Sequence, residues 1–541
     1  MKLTEPLFSV VTPVYDPPAD VLRQAIESVR AQTFTDWELL LVDDASPSAA
    51  VRDVLAEAAR SDDRIRVEYR KDNGGIVAAT NDALRTARGE WVAFLDHDDL
   101  YHPDALAKVA EAIGSHPDAD YVYTDEDKID EDNVHRDPFL KPDWSPERFR
   151  AQMYTTHLSC ARRSLIEEVG GMREGYDGAQ DWDLVLRVTE RARRVVHVPE
   201  VLYHWRMLAT SVAGDSDSKP YAYVAAQAAL QDHVERMGIE ASVEPHPILQ
   251  GSFRLRPELR DRPLVSIVIP TGGTRRMIRG RRLRLVENCL RKLVENTTYQ
   301  EWEAICVVDT PYVPEARQEL AFVGERLRIV EYKREFNFSD KCNVGALHAR
   351  GELLLLLNDD IEPLEPKWLE YMVAYSTIPD VGIVGAKLLF GDGRIQHTGI
   401  ASVSGNPGHA FYGFPGDFLG YFGNAVQAGN WLAVTGACLL TPKATYEAVG
   451  GMSLTFPVNY NDVDYCLKVW SKGQRVALAT DALLTHLEHS TREGAVSPAE
   501  LSRLRDRWAS WLDRDPFYHR GFVTPDPDFV PPAVLRDGTL V

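Results

Sequence analysis

Two tandem α/β domains, each a mainly parallel sheet flanked by helices, are what this 541-residue sequence predicts. Three observations carry the prediction. The chain repeats itself, with landmarks in the same order and at matching spacings. Short apolar runs of strand length alternate with amphipathic stretches of helical period. Acidic residues recur where those apolar runs end.

The first copy opens on Leu7-Phe-Ser-Val-Val-Thr-Pro13, a buried strand closed by a turn at Pro13. The second opens on Leu264-Val-Ser-Ile-Val-Ile-Pro-Thr271, with Pro270 in the matching place. A helical pattern follows each, over residues 21–32 and 283–295. Two apolar strands come next, residues 36–43 ending in Asp43 and residues 301–309 ending in Asp309. Asn81 lies 8 residues before Gly89-Glu90, and Asn343 lies 8 before Gly351-Glu352. Seven residues beyond each glycine stand Asp96 and Asn358, at the ends of the strands 91–95 and 353–357. The turns there read Asp96-His97-Asp98-Asp99 and Asn358-Asp359-Asp360. Val169-Gly-Gly-Met172 recurs as Val449-Gly-Gly-Met452, and Gln180-Asp181-Trp182-Asp183 as Asn461-Asp462-Val463-Asp464. A last strand carries His204, 23 residues after Asp181, in one copy and His486, 24 after Asp462, in the other. Charge and proline cluster near residues 257–263. The expected domains are therefore 1–256 and 257–498, with 499–541 a helix and tail packing on the second domain.

Composition narrows the classes. Hydrophobic residues are 44% and charged residues 26%, ordinary for a globular protein. The net charge of −21 argues against general nucleic-acid binding. It leaves room for one local basic patch: Arg275, Arg276, Arg279, Arg281, Arg282 and Arg284. That patch reads either as a solvated loop and helix start or as a contact for an anionic acceptor or lipid headgroup. The six cysteines include no C-x-x-C pair, which argues against a zinc or redox motif. No signal-peptide pattern opens the chain, and no apolar run approaches the ~20 residues of a membrane span. The expected compartment is the cytoplasm, with peripheral contact at the inner face of the cytoplasmic membrane left open.

The acidic residues sit where ligands bind in open α/β sheets, beyond the carboxyl ends of the strands. Asp96 and Asp98 can hold a hard divalent cation, Mn²⁺ or Mg²⁺, and a ribose hydroxyl. Asn358-Asp359-Asp360 offers less ligand charge. His204 and His486 suit a metal or diphosphate role, against the commoner structural histidine. Asp181 and Asp462 suit a general base, or the N-caps of the helical patterns that follow them. Asp43 and Asp309 suit a nucleobase or ribose contact, or a plain turn.

Taken together, these stretches resemble the family 2 glycosyltransferases with the GT-A, Rossmann-like fold, and more narrowly the tandem-domain enzymes of bacterial O-antigen and cell-surface polysaccharide synthesis. The telling stretches include Tyr123-Thr-Asp-Glu-Asp-Lys-Ile-Asp130, Lys141-Pro-Asp-Trp-Ser-Pro146, Leu202-Tyr-His-Trp-Arg206, Ile395-Gln-His-Thr-Gly399 and Thr435-Gly-Ala-Cys-Leu439. The resemblance covers residues 6–495 and implies inverting transfer of a sugar from a nucleotide-diphosphate donor to a growing glycan, lipid-linked or free. It implies donor contacts at Pro13, Asp43, Asn81, Asp96, Pro270, Asp309, Asn343 and Asn358. It implies metal ligation by Asp98, His204, Asp360 and His486, and catalytic bases Asp181 and Asp462. Departures fall in the second domain: a longer, basic loop at 271–282, Asp309-Thr-Pro311, and His486-Leu-Glu-His-Ser-Thr-Arg492, where His489 competes with His486. Two active sites are expected; the alternative is one catalytic domain plus a glycan- or donor-binding domain, the second.

Overall fold

Phe8–Val14 (β1) is mainly apolar and buried at every position but Pro13, because both of its faces are covered. In the helix Ala19–Arg30 that follows, Val21, Leu22, Ala25, Ile26 and Val29 form the buried stripe. The other strands of this unit are Trp37–Asp43 (β2), Ile65–Tyr69 (β3), Trp91–Phe94 (β4), Leu100–Tyr101 (β5), Tyr121–Ile129 (β6), His135–Phe139 (β7), Ser159–Arg162 (β8) and Val195–Arg206 (β9). The computed structural model describes residues 5–207, 220–487, 497–534 and 538–540. By its contacts the chain divides into two units: Met1–Trp144, Gln152–Gly238 and Pro531–Val541 form the first, and Ser145–Ala151 with Ile239–Val530 the second.

In the first unit the sheet order is β3-β2-β1-β4-β8-β6-β9-β5, with β7 paired to β6. The first four strands are mutually parallel; β8 runs antiparallel to both its neighbours, and β6 and β9 are again parallel. β1 lies between β2 and β4, so the strand order reverses there and opens a crevice at the carboxyl ends. The second unit repeats the plan, in the order Leu327–Tyr332, Trp302–Asp309, Val265–Thr271, Leu353–Leu357, Cys438–Pro442, Val381–Leu389, Arg475–His486, Ile361–Pro363. The sheets are thus mixed, with their parallel halves leading, and both units are built on one plan.

One polar knot is built identically in both units. Ser9 Oγ donates to Glu38 Oε1 at 2.7 Å, the Gly89 N–H donates to Ser9 Oγ at 2.8 Å, and Arg88 closes on Glu38 through its backbone N–H and Nε at 2.7 and 2.9 Å. In the second unit Ser266, Glu303, Gly351 and Arg350 make the same four bonds at 2.7, 2.9, 2.9 and 2.7 Å. The glycine is obligatory: a Cβ on Gly89 would lie 2.4 Å from Ser9 N, and one on Gly351 2.3 Å from Leu264 O.

The second unit has features of its own. Ser145 caps the short helix Pro146–Phe149, and its hydroxyl also accepts the Asn430 N–H at 3.0 Å. Glu147, fully buried, pairs with Arg475 at 3.0 Å and Arg150 at 3.2 Å. The helix Pro498–Leu512 meets Asp464 through Trp508 Nε1 at 2.8 Å. The arginine patch is an antiparallel hairpin, Arg275–Ile278 against Arg281–Arg284, rather than a loop and helix start. Arg275 pairs with Glu319, Arg279 with Glu362, and Arg284 with Glu315 and Glu319. All six cysteines are buried and unbridged. Among the described residues, no helix is long and apolar enough to cross a membrane.

Burial pushes the Glu38 carboxyl up, but bonds from Ser9 and Arg88 outweigh it and hold the group below its ordinary 4.5. Its contribution to stability is therefore present above pH 4.5 and lost as pH falls through the lowered value. Glu38→Gln, which sets an amide N–H against those donors, should cost about 1–3 kcal/mol at pH 7 in denaturant unfolding. The gap from the native chain should narrow below pH 4.5; a gap constant with pH would refute the assignment.

Candidate active site

In the first unit the turn after β4 carries the acidic residues to the crevice. His97 Nδ1 donates to the Pro13 carbonyl at 3.1 Å, tying that turn to the end of β1. Asp43 closes β2, and its Oδ1 accepts the Ser46 N–H at 3.0 Å. Asp44 gathers the next loop, accepting from Arg70 Nη1 at 2.5 Å and from the Gly74 and Gly75 N–H groups at 2.9 and 2.8 Å. Asp99 accepts one hydrogen bond on each oxygen, from the Tyr203 hydroxyl at 2.6 Å and from the Arg206 N–H at 2.7 Å. Burial, with Asp96 and Asp98 beside it, lifts the Asp99 carboxyl well above the usual range. Burial also raises Asp98, with Asp96 adding to the effect and His97 opposing it.

A histidine that the sequence reading missed completes this cluster. His157 offers a ring nitrogen within 4.8 Å of carboxylate oxygens of Asp96 and Asp99. Its ring stacks on Tyr203, centroids 4.5 Å apart, and its Nδ1 lies 3.3 Å from Glu126 Oε2. Burial alone would lower its pKa; Glu126, then Asp96 and Asp99, more than reverse this and lift it to about 9. Glu126 is itself held at about 2 because Lys141 and His157 outweigh its burial. Lys141, buried, donates to Glu126 at 3.0 Å and to the Thr155 and His157 carbonyls at 2.9 and 2.6 Å.

Asp181 stands in the first turn of the helix Gln180–Thr189, its Oδ1 accepting the Trp182 N–H at 2.8 Å. Burial raises its carboxyl, with His157 opposing and Asp96 reinforcing the shift, so Asp181 feels both groups of the cluster. Asp183 is a fold residue, clamped between Arg173 and Arg187. Asn81 spends both ends of its amide on the backbone of Met172, at 2.9 Å each, and Asn343 does the same to Met452. Both thereby fasten the repeated Gly-Gly turn. His204 donates through Nδ1 to Asp127 Oδ1 at 2.6 Å, and His135 bonds the other Asp127 oxygen at 2.7 Å.

In the second unit a cavity of about 240 Å³ is lined by Asn358, His409, Gly436, Tyr460, Asp462 and His486, among others. Asp462 accepts the Gly436 N–H on one oxygen and the Val463 N–H on the other, both at 2.9 Å. His486 Nε2 lies 3.1 Å from Asp360 Oδ1 and 3.2 Å from the Asn358 amide nitrogen. Burial, with Asp360 adding to it, pushes Asp359 up to about 7; its Oδ2 accepts the Thr271 hydroxyl, next to Pro270, at 2.5 Å. Asp309 ends its strand as Asp43 does, but the buried Lys341 pairs with it at 2.6 Å. His397, of the stretch 395–399, is buried and shares a 3.0 Å contact with His409. His489 lies outside the described residues.

The sheet register does not equate His204 with His486. The His102 N–H donates to Leu202 O in the first unit, and the Leu364 N–H to Leu483 O in the second. Residues 102 and 364 stand at matching places after the paired glycines, so 202 matches 483 and His486 matches Trp205. A slip of one residue sends a strand side chain to the opposite face. By the same counting, Trp91 opposes Arg162 and Leu353 opposes Pro442, so His157 matches Ala437.

The family model described as glycosyl transferase family 2 matches residues 9–169 and 266–428, together more than half of the chain. A protein of Sinorhizobium fredii, itself uncharacterised, is 40% identical over 97% of this chain and 58% of its own length. The O-antigen biosynthesis protein RfbC of Myxococcus xanthus is 37% identical over 95% of this chain and 40% of its own. The chondroitin synthase of Escherichia coli is 30% identical over 37% of this chain and 29% of its own. The chain thus spans about half the length of the first two relatives.

Because Glu126 is the main force raising His157, Glu126→Gln should move the His157 titration from about 9 to lower pH. Selective ¹⁵N-histidine NMR on the full chain reads this directly. A His157 titration left near 9 would place the source elsewhere.

Proposed function

We propose, from the premise that the chain belongs to the glycosyl transferase family 2, that it adds sugars from nucleotide-diphosphate donors to a growing cell-surface glycan, with inversion and at two sites. The names of the relatives that match nearly the whole chain or a catalytic-size part of it support this acceptor class. One observation carries the reading. In each unit a carboxylate in the first turn of a helix, Asp181 or Asp462, meets an acidic turn at the parallel strand ends.

In this reading Asp43 and Asp309 recognise the nucleoside and Asp96 the ribose or diphosphate. Carboxyl groups raised by desolvation, with neighbouring carboxylates adding to the shift, favour a bound divalent cation, and an oxygen-rich set suits Mn²⁺ or Mg²⁺. Asp98 and Asp360 would hold it, and it would supply charge to offset the departing diphosphate. Asp181 takes the proton of the acceptor hydroxyl as that oxygen bonds to the anomeric carbon. The bond from that carbon to the diphosphate oxygen breaks on the opposite face, which inverts the centre. The raised carboxyl of Asp181 suits a base, since it is a stronger proton acceptor than an exposed aspartate.

Three observations favour the second reading, in which the second domain binds glycan or donor without turning it over. Asn358 stands in place of Asp96, Lys341 neutralises Asp309, and His486 is already against Asp360. The compartment proposed is the cytoplasm, with the arginine hairpin as the surface for any peripheral contact.

The test is a panel of nucleotide sugars with Mn²⁺, Mg²⁺ or EDTA, run on the full chain and on Asp181→Asn and Asp462→Asn. Each substitution should slow one sugar addition by roughly 10²–10⁴-fold and leave donor binding intact. The addition served by Asp181 should also weaken toward acid, at a pH above the ordinary aspartate value of 3.8. Asp462→Asn with both additions unimpaired would establish the second reading. No metal-dependent donor binding anywhere would overturn both.

A further inference from the structure

The register shows that the two units bring an imidazole to the acidic turn from different elements. In the second unit it comes from the end of the long strand, as His486, while the matching residue of the preceding loop is the small Ala437, whose carbonyl accepts the Asn358 N–H. In the first unit the strand position is Trp205 and the loop position is His157, their rings 5.9 Å apart. Histidine and filler have exchanged places. His204, one residue before Trp205 on β9, projects from the other face, away from the acidic turn, where its ligand atom lies within 4.8 Å of those of Asp127 and His135.

We propose that His157, and not His204, is the imidazole ligand of a divalent cation in the first unit, with Asp99 and, serving the cation rather than the ribose, Asp96 as carboxylate ligands beside Asp98, and with Glu126 as the residue that positions it. Ligand atoms of Asp96, Asp99 and His157 lie within 4.8 Å of one another, which one cation can span with small side-chain movement. Each Asp99 oxygen accepts one hydrogen bond and keeps a second lone pair. Metal-binding histidines are oriented by a carboxylate on their other nitrogen. Glu126 faces His157 Nδ1 at 3.3 Å, accepts the His157 N–H at 3.0 Å and is fixed by Lys141, which leaves Nε2 as the ligand atom. The stretch Tyr123-Thr-Asp-Glu-Asp-Lys-Ile-Asp130 thereby acquires a purpose: Glu126 sets the site histidine, and Asp127 restrains His204.

This rests on the reading that the first unit uses a metal-assisted donor site. The test is pulsed EPR of Mn²⁺ bound to the full chain without donor, in a His486→Leu background that silences the second unit's imidazole. The ¹⁴N modulation of a bound imidazole should be present there, persist in His204→Phe and vanish in His157→Phe. His157→Gln, checked by thermal melting, covers the case in which the larger ring disturbs packing. Glu126→Gln should keep the modulation and weaken Mn²⁺ binding about 10–100-fold. Modulation retained without His157, or lost without His204, overturns the proposal. Mn²⁺ bound with no nitrogen modulation at all overturns it too and spares the donor-site reading. No Mn²⁺ bound, with donor binding unimpaired, removes the metal from that reading as well.

Discussion

Asp96, Asp98 and the buried Asp99 share one turn, and like charges so placed repel one another. Much of the surrounding structure answers that repulsion. Tyr203 and the Arg206 backbone supply hydrogen bonds to Asp99, and the Arg206 side chain bonds the Asp98 carbonyl. His157 brings an imidazole beside them, held there by Glu126, which is in turn held by Lys141. The second unit meets the same difficulty with fewer charges: an amide replaces the first acid, and His486 sits directly on Asp360. The first turn therefore concentrates three carboxyl groups, while in the second an amide and a histidine already offset part of the charge.

Duplication has kept the scaffold and released the site. The knot of Ser9, Glu38, Arg88 and Gly89 is reproduced bond for bond by Ser266, Glu303, Arg350 and Gly351. Asn81 and Asn343 clasp the same turn through the same atoms. These interactions hold strands and turns in register and tolerate no drift. The groups facing the crevice are under no such constraint, and there the copies differ in charge, in the source of the histidine, and in the partner of the strand-end aspartate.

The fold was legible because apolar period and repeat spacing are properties of local sequence. β1, β2 and β4 and their counterparts end where the aspartates at 43, 309, 96 and the amide at 358 suggested. The late histidines were harder. The 23 and 24 residues that separate them from Asp181 and Asp462 already contained the one-residue slip, but only strand pairing shows that the slip turns a side chain to the other face. His157 gave no signal of its own. Matching one copy to the other finds what both share, and its counterpart is an alanine. The asparagines at 81 and 343 were conspicuous for their spacing, and that spacing reflects a clasp within the fold. The arginine patch was visible as charge, while its hairpin depends on cross-strand pairing that no local pattern announces.

The segment Ser145–Ala151 belongs by its contacts to the second unit, although the chain on both sides of it belongs to the first, and the last residues, Pro531–Val541, return to the first. The units are thus interlaced along the polypeptide. A break near residue 260 would divide the chain without dividing the units: the C-terminal piece would leave Arg475 without Glu147 and Asn430 without Ser145. During synthesis, that short helix emerges long before the sheet that receives it, so the second unit draws on two separated stretches of the chain. Exchange of one copy by recombination at the obvious boundary would therefore exchange an incomplete unit.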